Sequence, residues 1–181
     1  MDREKSVWYA MRVTYRREMD VKEFLDKELV ESFIPMHYVL RFKGGKKKKM
    51  LEPVVHNLIF VHATPSIIKG LKGKLPYLQY MMEHKEQRRV PIIVPDRQMK
   101  HFISIAGTYD EQLLFLDPQE INLSKGAKVR ICGGLFDGKE GIYIKLKGIR
   151  DKRVVVAVPG VIAVAMATLH TSQIELIEAN H

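Results

Sequence analysis

Basic side chains grouped on one short segment are the residues of this chain best suited to bind another molecule. They are Arg41, Lys43, Lys46, Lys47, Lys48 and Lys49. Clustered ammonium and guanidinium groups attract phosphates, and such contacts are independent of nucleotide sequence and weaken with salt. The simpler interpretation of the segment is a solvated turn. Arg16 and Arg17 either extend the same basic surface or only mark the start of a helix.

A hydrophobic pair in a glycine-rich segment is the second candidate. Leu135 and Phe136 lie within GGLFDGKEG, residues 133–141. The pair either projects as an anchor for a partner, or Phe136 fills the end of a small barrel, whose interior is packed with side chains. The glycines do not form a dinucleotide-binding fingerprint, because the residues after them predict a strand and not a helix.

Motifs typical of enzymes are missing from the sequence. The seven histidines and the single cysteine show neither C-x-x-C nor H-E-x-x-H spacing. There is also no P-loop and no G-x-S-x-G elbow. We therefore expect a protein that is not an enzyme, with no catalytic residue, no metal and no cofactor. Cys132 ends an apolar strand and is expected to be buried.

The composition is that of a globular protein with an anionic partner. Hydrophobic residues make up 46% of the chain, and 30 Lys and Arg against 21 Asp and Glu give a formal net charge of +9. An excess of positive charge of this size favours a nucleic acid, or an assembly that carries one, as the binding partner. No signal peptide or apolar run of about 20 residues is present. We expect a cytoplasmic monomer without membrane contact.

The first half of the chain predicts a mixed α+β domain. Strands are predicted in VWYAMRVT, YLQYMME and VPIIV. PSIIKGLKG predicts a short helix, and apolar residues at helical spacing predict two more, at Val21, Phe24, Leu25 and Leu29 and at Met99, Phe102, Ile103 and Ala106. SFIPMHYVLRF, a turn at GGKKKK and a returning strand in MLEPVVHNLIFVHA predict a long hairpin with a basic tip.

The last third of the chain predicts only strands. Residues 107–124 show no regular period and are expected to form a linker, within which QLLFLD has enough apolar residues to pack on another element or to form a short strand. After them come AKVRIC, EGIYIKLK, RVVVAV, VIAVAM and QIELI, separated by turn signals. Short strands with turns every eight to twelve residues are typical of a small barrel.

The glycine-rich segment and the order of the N-terminal motifs resemble a known family. KGAKVRICGGLFDGKEGIYIKLKG resembles the KOW motif, which ribosomal proteins also carry. WYAMRV, FIPMHYVLRF, the basic hairpin and NLIFVHATP occur in the order found in the N-terminal (NGN) domain of NusG transcription elongation factors. Together these motifs cover nearly the whole chain, and the heavy lysine run favours a specialised paralogue of the RfaH or UpxY type. The resemblance implies an NGN domain over residues 1–106, a linker over 107–124 and an SH3-like KOW barrel over 125–181.

The resemblance also implies partners for the candidate residues. It implies a transcription elongation or antitermination factor whose NGN domain binds RNA polymerase. The hairpin lysines and arginines would contact upstream or non-template DNA, and Leu135 and Phe136 would bind a ribosomal protein or the termination factor Rho.

The resemblance places the polymerase contact on a strand predicted over Val54 to His62. Its exposed apolar residues would be Val55, Leu58 and Phe60, although Leu58 and Phe60 could instead be buried beneath a helix. The family commonly has a proline and a tyrosine in this strand, where the chain has VHNLIFV. A translation-side protein that binds RNA or the ribosome through the KOW barrel and the hairpin is the alternative from another class.

Overall fold

The chain folds into two compact units in a computed structural model that describes residues 4–167 and 170–178. The units are Met1–Lys100 and His101–His181. The outermost residues of the predicted NGN and KOW domains, 1–3 and 179–181, lie outside the described residues. In the part of the chain that the structure describes, none of the helices combines the length and apolar character needed to cross a membrane.

The first unit combines helices with antiparallel strands, as predicted. Its elements are β1 (Val7–Val13), α1 (Glu18–Lys27), β2 (Ser32–Phe33), β3 (Met36–Lys43), β4 (Lys46–Pro53), β5 (Leu58–Ala63), α2 (Pro65–Lys74), β6 (Leu78–Tyr80), β7 (Met82–Lys85), β8 (Arg88–Pro91), β9 (Ile93–Val94) and α3 (Asp96–Ala106), within which the division between the units falls.

The main sheet of the first unit has the strand order β2-β5-β1-β6, and β9 also pairs with β1. β1 and β5 are antiparallel, with Val7 opposite Ala63 and Arg12 opposite Leu58. Both strands bury almost every residue. Their β-branched and aromatic side chains pack well on a pleated surface, which explains why the centre of the sheet forms here.

In the first unit, α2 begins at a recognisable capping signal. Thr64 accepts a hydrogen bond from the Ile67 N–H through its hydroxyl, and Pro65 opens α2, as in a typical N-cap. The predicted stripe of α1 is correct for Val21 and Leu25, which are buried, and wrong for Leu29, which is 93% exposed. Leu29 lies beyond the helix with φ of +57°, so its side chain leaves the buried face.

Two hairpins of the first unit lie outside the main sheet. β3 pairs only with β4 along its whole length, and β7 pairs with β8. The sequence predicts the first hairpin but continues its returning strand through Leu58. The structure ends β4 at Pro53 and places β5 in the main sheet, because residues 54–57 turn the chain out of the hairpin.

The second unit has strands and short 3-10 turns after α3, and the predicted all-β barrel fold is confirmed. Its strands are β10 (Leu114–Leu116), β11 (Ala127–Ile131), β12 (Glu140–Lys145), β13 (Lys152–Val158), β14 (Ile162–Met166) and β15 (Ile174–Glu178). They form a sheet in the order β10-β14-β13-β12-β11-β15, with β15 at one end.

The segment predicted as a linker contributes to this second sheet. Leu114 and Leu116 of β10, together with Ile121 and Leu123, pack against a buried cluster that includes Val155. The sequence of residues 107–124 therefore lacks a regular hydrophobic period because the segment is made of short elements and turns, and it is not a linker exposed to solvent along its whole length. The domain boundaries themselves stay a prediction.

Candidate functional site

The hairpin of β3 and β4, hereafter the basic ribbon, is built around a glycine turn. Gly44 and Gly45 have φ of +60° and +72°, as the tight hairpin turn with two left-handed residues requires. Pairing continues from Lys43 opposite Lys46 down to Met36 opposite Pro53. The four lysines 46–49 therefore lie on β4, and the prediction that they form the turn is wrong, because two glycines close it without them.

The basic ribbon exposes both faces near its tip. Every residue from Leu40 to Met50 is exposed. Since paired residues share a face and neighbours alternate, Arg41, Lys43, Lys46 and Lys48 lie on one face, and Lys47 and Lys49 on the other. The predicted phosphate-binding residues are thus accessible, but they divide between two faces.

One of the predicted phosphate ligands already has an acidic partner. The Arg41 guanidinium donates to both carboxylate oxygens of Glu52, at 2.9 and 2.6 Å. These bonds lower the pKa of Glu52 and raise that of Arg41. A bidentate pair is geometrically specific, so the lysines nearer the tip are better placed than Arg41 to meet a phosphate.

The face of the basic ribbon that carries Lys47 and Lys49 also carries exposed hydrophobic side chains. Tyr38, Leu40 and Phe42 are 42%, 68% and 76% exposed. The Lys49 ammonium lies 4.6 Å from the centroid of the Tyr38 ring, and that of Lys47 lies 5.6 Å from the Phe42 ring. Sequence reasoning missed this face, although the alternation in HYVLRF signals it.

Arg16 and Arg17 lie in a strained connection between β1 and α1. Tyr15 and Arg16 have φ of +63° and +54°, a region that residues with a Cβ seldom adopt. The Arg16 N–H donates to Oδ1 of Asn57 at 3.0 Å, and the Arg17 guanidinium lies 5.1 Å from the Tyr77 ring centroid. Both arginines are exposed. None of the contacts described joins them to the basic ribbon.

The predicted polymerase-binding strip on β5 does not exist as an exposed surface. Leu58 and Phe60 are 3% and 0% exposed, while Val55 is 41% exposed and precedes the strand. β5 lies between β1 and β2 and buries residues on both faces, so alternation along it does not produce an outer face. The prediction that Leu58 and Phe60 are accessible is wrong, and the alternative of buried residues is correct.

Exposed apolar residues instead adjoin, along the chain, the residues of two contacts beside the start of β5. The Nδ1 atom of His56 lies 2.9 Å from Oε1 of Glu18. Val55 precedes His56 in the chain, and Met19 follows Glu18. Tyr15 precedes Arg16, whose N–H donates a hydrogen bond to the Asn57 side chain. Met19 is 47% exposed and Tyr15 83%. We call Tyr15, Met19 and Val55 the Val55 patch.

The hairpin of β7 and β8 forms a second basic surface that the sequence analysis missed. His84 pairs with Arg89, and Lys85 with Arg88. All four side chains are exposed. The turn residues Glu86 and Gln87 have φ of +46° and +64°. Because this turn contains no glycine, asparagine or aspartate, the usual signal of a tight hairpin is missing.

The glycine-rich loop of the second unit separates Leu135 from Phe136. Leu135 is 63% exposed, whereas Phe136 is 7% exposed. The Gly133 N–H donates to Oδ1 of Asp137 at 2.6 Å, and the Gly138 N–H donates to the Ile131 carbonyl at 2.7 Å. This folding of the loop turns Phe136 inward, so the prediction that it projects is wrong and the barrel-filling alternative is correct.

Cys132, predicted to be buried, is exposed.

Comparisons with known proteins agree with the N-terminal motifs. Residues 6–103 match the family model NusG, described as transcription termination factor nusG. No curated protein matches the chain. A structure described as domain interaction in Thermotoga maritima NusG is similar to it at 24% identity, covering 96% of this chain and 98% of that one, with a TM-score of 0.48. The MjSpt4:Spt5 complex in conformation B is similar at 15% identity, covering 95% and 97%, with a TM-score of 0.27. Because the family model alone spans more than half of the 181 residues, the chain belongs to the NusG family of transcription factors.

Proposed function

We propose that the protein is a transcription elongation or antitermination factor that binds RNA polymerase through the Val55 patch and DNA through the basic ribbon. The observation that carries the proposal is the form of the basic ribbon, which holds its lysines on an exposed hairpin outside the main sheet. Membership of the NusG family supports the role in transcription. The mechanism is one of binding and positioning, without catalysis.

The Val55 patch is the apolar surface of the first unit that best replaces the buried strip of β5. Its three side chains are at least 41% exposed. Each is next in sequence to a residue of the contacts between His56 and Glu18 or between Arg16 and Asn57, and we therefore treat the three as one surface. Exposed apolar patches rimmed by polar groups mark protein interaction sites. Arg16, Arg17 and His56 supply such a rim here.

The basic ribbon supplies the DNA contact. Lys46 and Lys48 share one face with Arg41 and Lys43. Lysine contacts to phosphates position a protein on nucleic acid without reading its sequence. Such a contact suits a factor that must follow the polymerase over many different sequences.

The second unit provides a separate contact through Leu135. Its 63% exposed side chain lies at a loop held by hydrogen bonds, so little order need be gained when a partner binds. We propose a ribosomal protein or Rho as this partner. Binding two machines through one chain raises the effective concentration of each near the other.

Capture of RNA polymerase by the tagged full-length chain tests the first contact. We expect Val55→Asp and Met19→Asp to abolish capture, because a carboxylate at either position would lose its water in the interface. Ile67→Asp is the matched control, since Ile67 is 44% exposed on α2 and lies outside the patch. Thermal unfolding of each variant verifies that it folds. Capture at the wild-type level by both patch variants would contradict the polymerase contact.

Crosslinking to DNA in a transcription complex tests the second contact. We expect Lys46→Glu with Lys48→Glu to reduce crosslinking strongly, because the changes replace attraction to phosphates by repulsion. The matched control is Lys69→Glu with Lys72→Glu on α2, which alters charge by the same amount elsewhere. Equal losses in both pairs would indicate a general effect of net charge and contradict a specific role for the ribbon.

A further inference from the structure

A cleft in the second unit collects positive charge with little acid to balance it. The cavity has a volume of about 300 Å³. Glu120 is the one acidic side chain among the described residues that line it, whereas the basic residues of the lining are Lys125, Lys145, Lys147 and Lys152. We call this cavity the lysine cleft. All four lysines are exposed, so their charges are accessible to a dissolved anion.

The walls of the lysine cleft are held in place by the hydrophobic core of the second unit. One wall contains the 3-10 turn Leu123–Lys125, and the other contains the end of β12 and the residues that follow it. Leu123 packs against the buried cluster to which Leu146 of the second wall belongs. The cavity is therefore present before any ligand arrives, and little order need be gained when one binds.

The register of β12 and β13 places two lysines of the cleft directly opposite each other. Lys145 pairs with Lys152, and like charges at opposite positions destabilise a sheet. The Lys145 ammonium donates to the Arg150 carbonyl, and the Lys152 ammonium lies 5.5 Å from the centroid of the Tyr143 ring. Neither of these contacts supplies a negative charge. An anion between the two lysines would relieve their repulsion.

Basic side chains on the neighbouring strand β11 are, by contrast, balanced by an acid. The closest contacts of Arg130 and Lys128 with the Glu140 carboxylate are 2.8 and 4.0 Å. Glu140 begins β12 and Lys145 ends it, so the balanced and unbalanced charges lie at opposite ends of one strand. The loop that carries Leu135 enters β12 at the Glu140 end. The lysine cleft is therefore separate from the surface proposed to bind a ribosomal protein or Rho.

We propose that the lysine cleft binds a compact polyphosphate anion, carried by a nucleoside di- or triphosphate or present as inorganic polyphosphate. A lysine ammonium is a compact charge with three donors, which suits phosphate oxygens. The volume of the cleft lies at the lower end of the range of small-molecule sites, about 300–1,000 Å³. Its charges converge on one cavity, which favours a short run of phosphates over a long nucleic-acid strand. This inference goes beyond the proposed function and does not depend on it.

Tyr143 distinguishes the two sources of such an anion. Its side chain is half-buried and forms part of the lining. Nucleic-acid bases stack on aromatic rings of this kind. A nucleoside polyphosphate offers Tyr143 a base, whereas inorganic polyphosphate offers it nothing to stack.

Isothermal titration calorimetry with the full-length chain tests the proposal. The titrants are inorganic tripolyphosphate, ATP, orthophosphate and adenosine, all at one ionic strength and without divalent cations. We expect tripolyphosphate and ATP to bind. Orthophosphate should bind at least roughly tenfold more weakly, because it reaches fewer of the lysines and each charged hydrogen bond contributes a factor of about ten or more. Adenosine should not bind.

Paired substitutions locate the site. Lys145→Gln with Lys152→Gln should weaken binding of tripolyphosphate at least roughly tenfold, because two charged contacts are lost. Lys128→Gln with Lys139→Gln is the matched control, since it removes the same charge from the second unit outside the lining of the cleft, and it should bind as the wild type does. The first pair of changes removes two opposed like charges. Thermal unfolding should therefore show that this variant is at least as stable as the wild type.

Tyr143→Leu identifies the source of the phosphates. Tighter binding of ATP than of tripolyphosphate, with the difference lost in Tyr143→Leu, supports a nucleotide site. Equal binding of the two ligands, unaffected by Tyr143→Leu, supports a site for inorganic polyphosphate. In either case the loss should appear in the Lys145 and Lys152 variant.

Four outcomes would overturn the proposal. The first is a wild type that binds neither tripolyphosphate nor ATP, and the second is an equal loss in the two lysine pairs, which would show only an effect of net charge. The third is a loss in Lys46→Glu with Lys48→Glu and none in the cleft variant, which would place the anion on the basic ribbon. The fourth is a strand of twelve uridines that binds through the cleft lysines more tightly than ATP, which would assign the cleft to RNA.

Failure of this proposal is distinguishable from failure of the proposed function. Capture of RNA polymerase and crosslinking of the basic ribbon to DNA are measured without a polyphosphate ligand. The cleft variant should behave as the wild type in both of those experiments.

Discussion

The Nδ1 atom of His56 lies 2.9 Å from Oε1 of Glu18, a carboxylate that is 2% exposed at the start of α1. Among the described atoms, Oε2 of Glu18 has no hydrogen-bond partner. A buried carboxylate depends strongly on the partners it has, because water no longer solvates it. The His56 contact therefore joins the start of α1 to the residues that precede β5.

Replacement of His56 by alanine should destabilise the first unit. Removing one partner of a buried polar group costs about 1–3 kcal/mol in the free energy of unfolding, because the group left behind stays desolvated. Denaturant unfolding measures the change, and His84→Ala, at an exposed position on β7, is the control. If the buried carboxylate is the cause, the cost should shrink in a Glu18→Gln background. An equal cost in both backgrounds would contradict this explanation.

Asn57 is expected to hold the strained connection at Tyr15 and Arg16. Its side chain accepts the Arg16 N–H, and its own φ is +69°. Asn57→Gly keeps the backbone freedom and removes the hydrogen bond, which should cost about 0.5–1.5 kcal/mol. Asn57→Ala should cost about 1–2 kcal/mol more, because a Cβ disfavours the left-handed conformation. Denaturant unfolding should rank wild type above glycine and glycine above alanine; the reverse order of the two variants would count against the argument.

Acid should weaken the second unit through a pair that crosses its strands. Arg130 on β11 lies opposite Glu140 on β12 and Glu175 on β15, and donates to them at 2.8 and 3.4 Å. The hydrogen bond from Arg130 lowers the pKa of Glu140 below its ordinary value of 4.5. The folded state thus binds this proton more weakly than the unfolded state. The stabilisation that the ionised Glu140 gives the folded second unit is present above pH 4.5 and is lost as the pH falls through the lowered pKa of Glu140.

Calorimetric melting between pH 3 and 6 checks this dependence. We expect Glu140→Gln to flatten the fall in melting temperature of the second unit with acid, and Glu120→Gln, at an exposed position of the same unit, to leave it unchanged. The pair is accessible to solvent, so the effect should be small and should shrink in high salt. An acid response that is the same in Glu140→Gln as in the wild type would assign it to other groups.

Two glycine-to-alanine changes should act in opposite directions. At Gly141, on β12, a Cβ would lie 2.7 Å from both Val154 Cγ1 and the Val155 carbonyl oxygen, so Gly141→Ala should lower the stability of the second unit. At Gly70, inside α2, a Cβ would meet no heavy atom within 4 Å. Gly70→Ala should raise the stability of the first unit by about 0.5–1 kcal/mol, because alanine restricts the unfolded chain. Thermal unfolding compares both variants with the wild type, and a stabilising Gly141→Ala would show that β12 and β13 adjust to the added methyl group.

Local patterns in the sequence predict most of the fold. The helices α2 and α3 and the short strands of the second unit depend on nearby residues, and all appear in the structure. The motif order also predicts the NusG family before the structure is known. These features are local or ordered along the chain, which is the information a single sequence carries directly.

The site residues are harder to predict because exposure depends on distant neighbours. Leu58 and Phe60 alternate as expected, but β1 and β2 flank their strand and both faces are buried. Phe136 turns inward because Asp137 folds the loop back on Gly133. The hairpin of β7 and β8 lacks a glycine turn. In each case the missing information is a tertiary contact or a backbone conformation that the residue types do not encode by themselves.

The position of β15 at one end of the described sheet has a consequence for self-association. An end strand presents unpaired backbone groups to which a strand of another molecule can add. On β15, Glu175 and Glu178 flank Leu176, which is 60% exposed. Pairing two copies of this strand would bring carboxylates close together around the exposed leucine. We expect this repulsion to disfavour pairing at the edge.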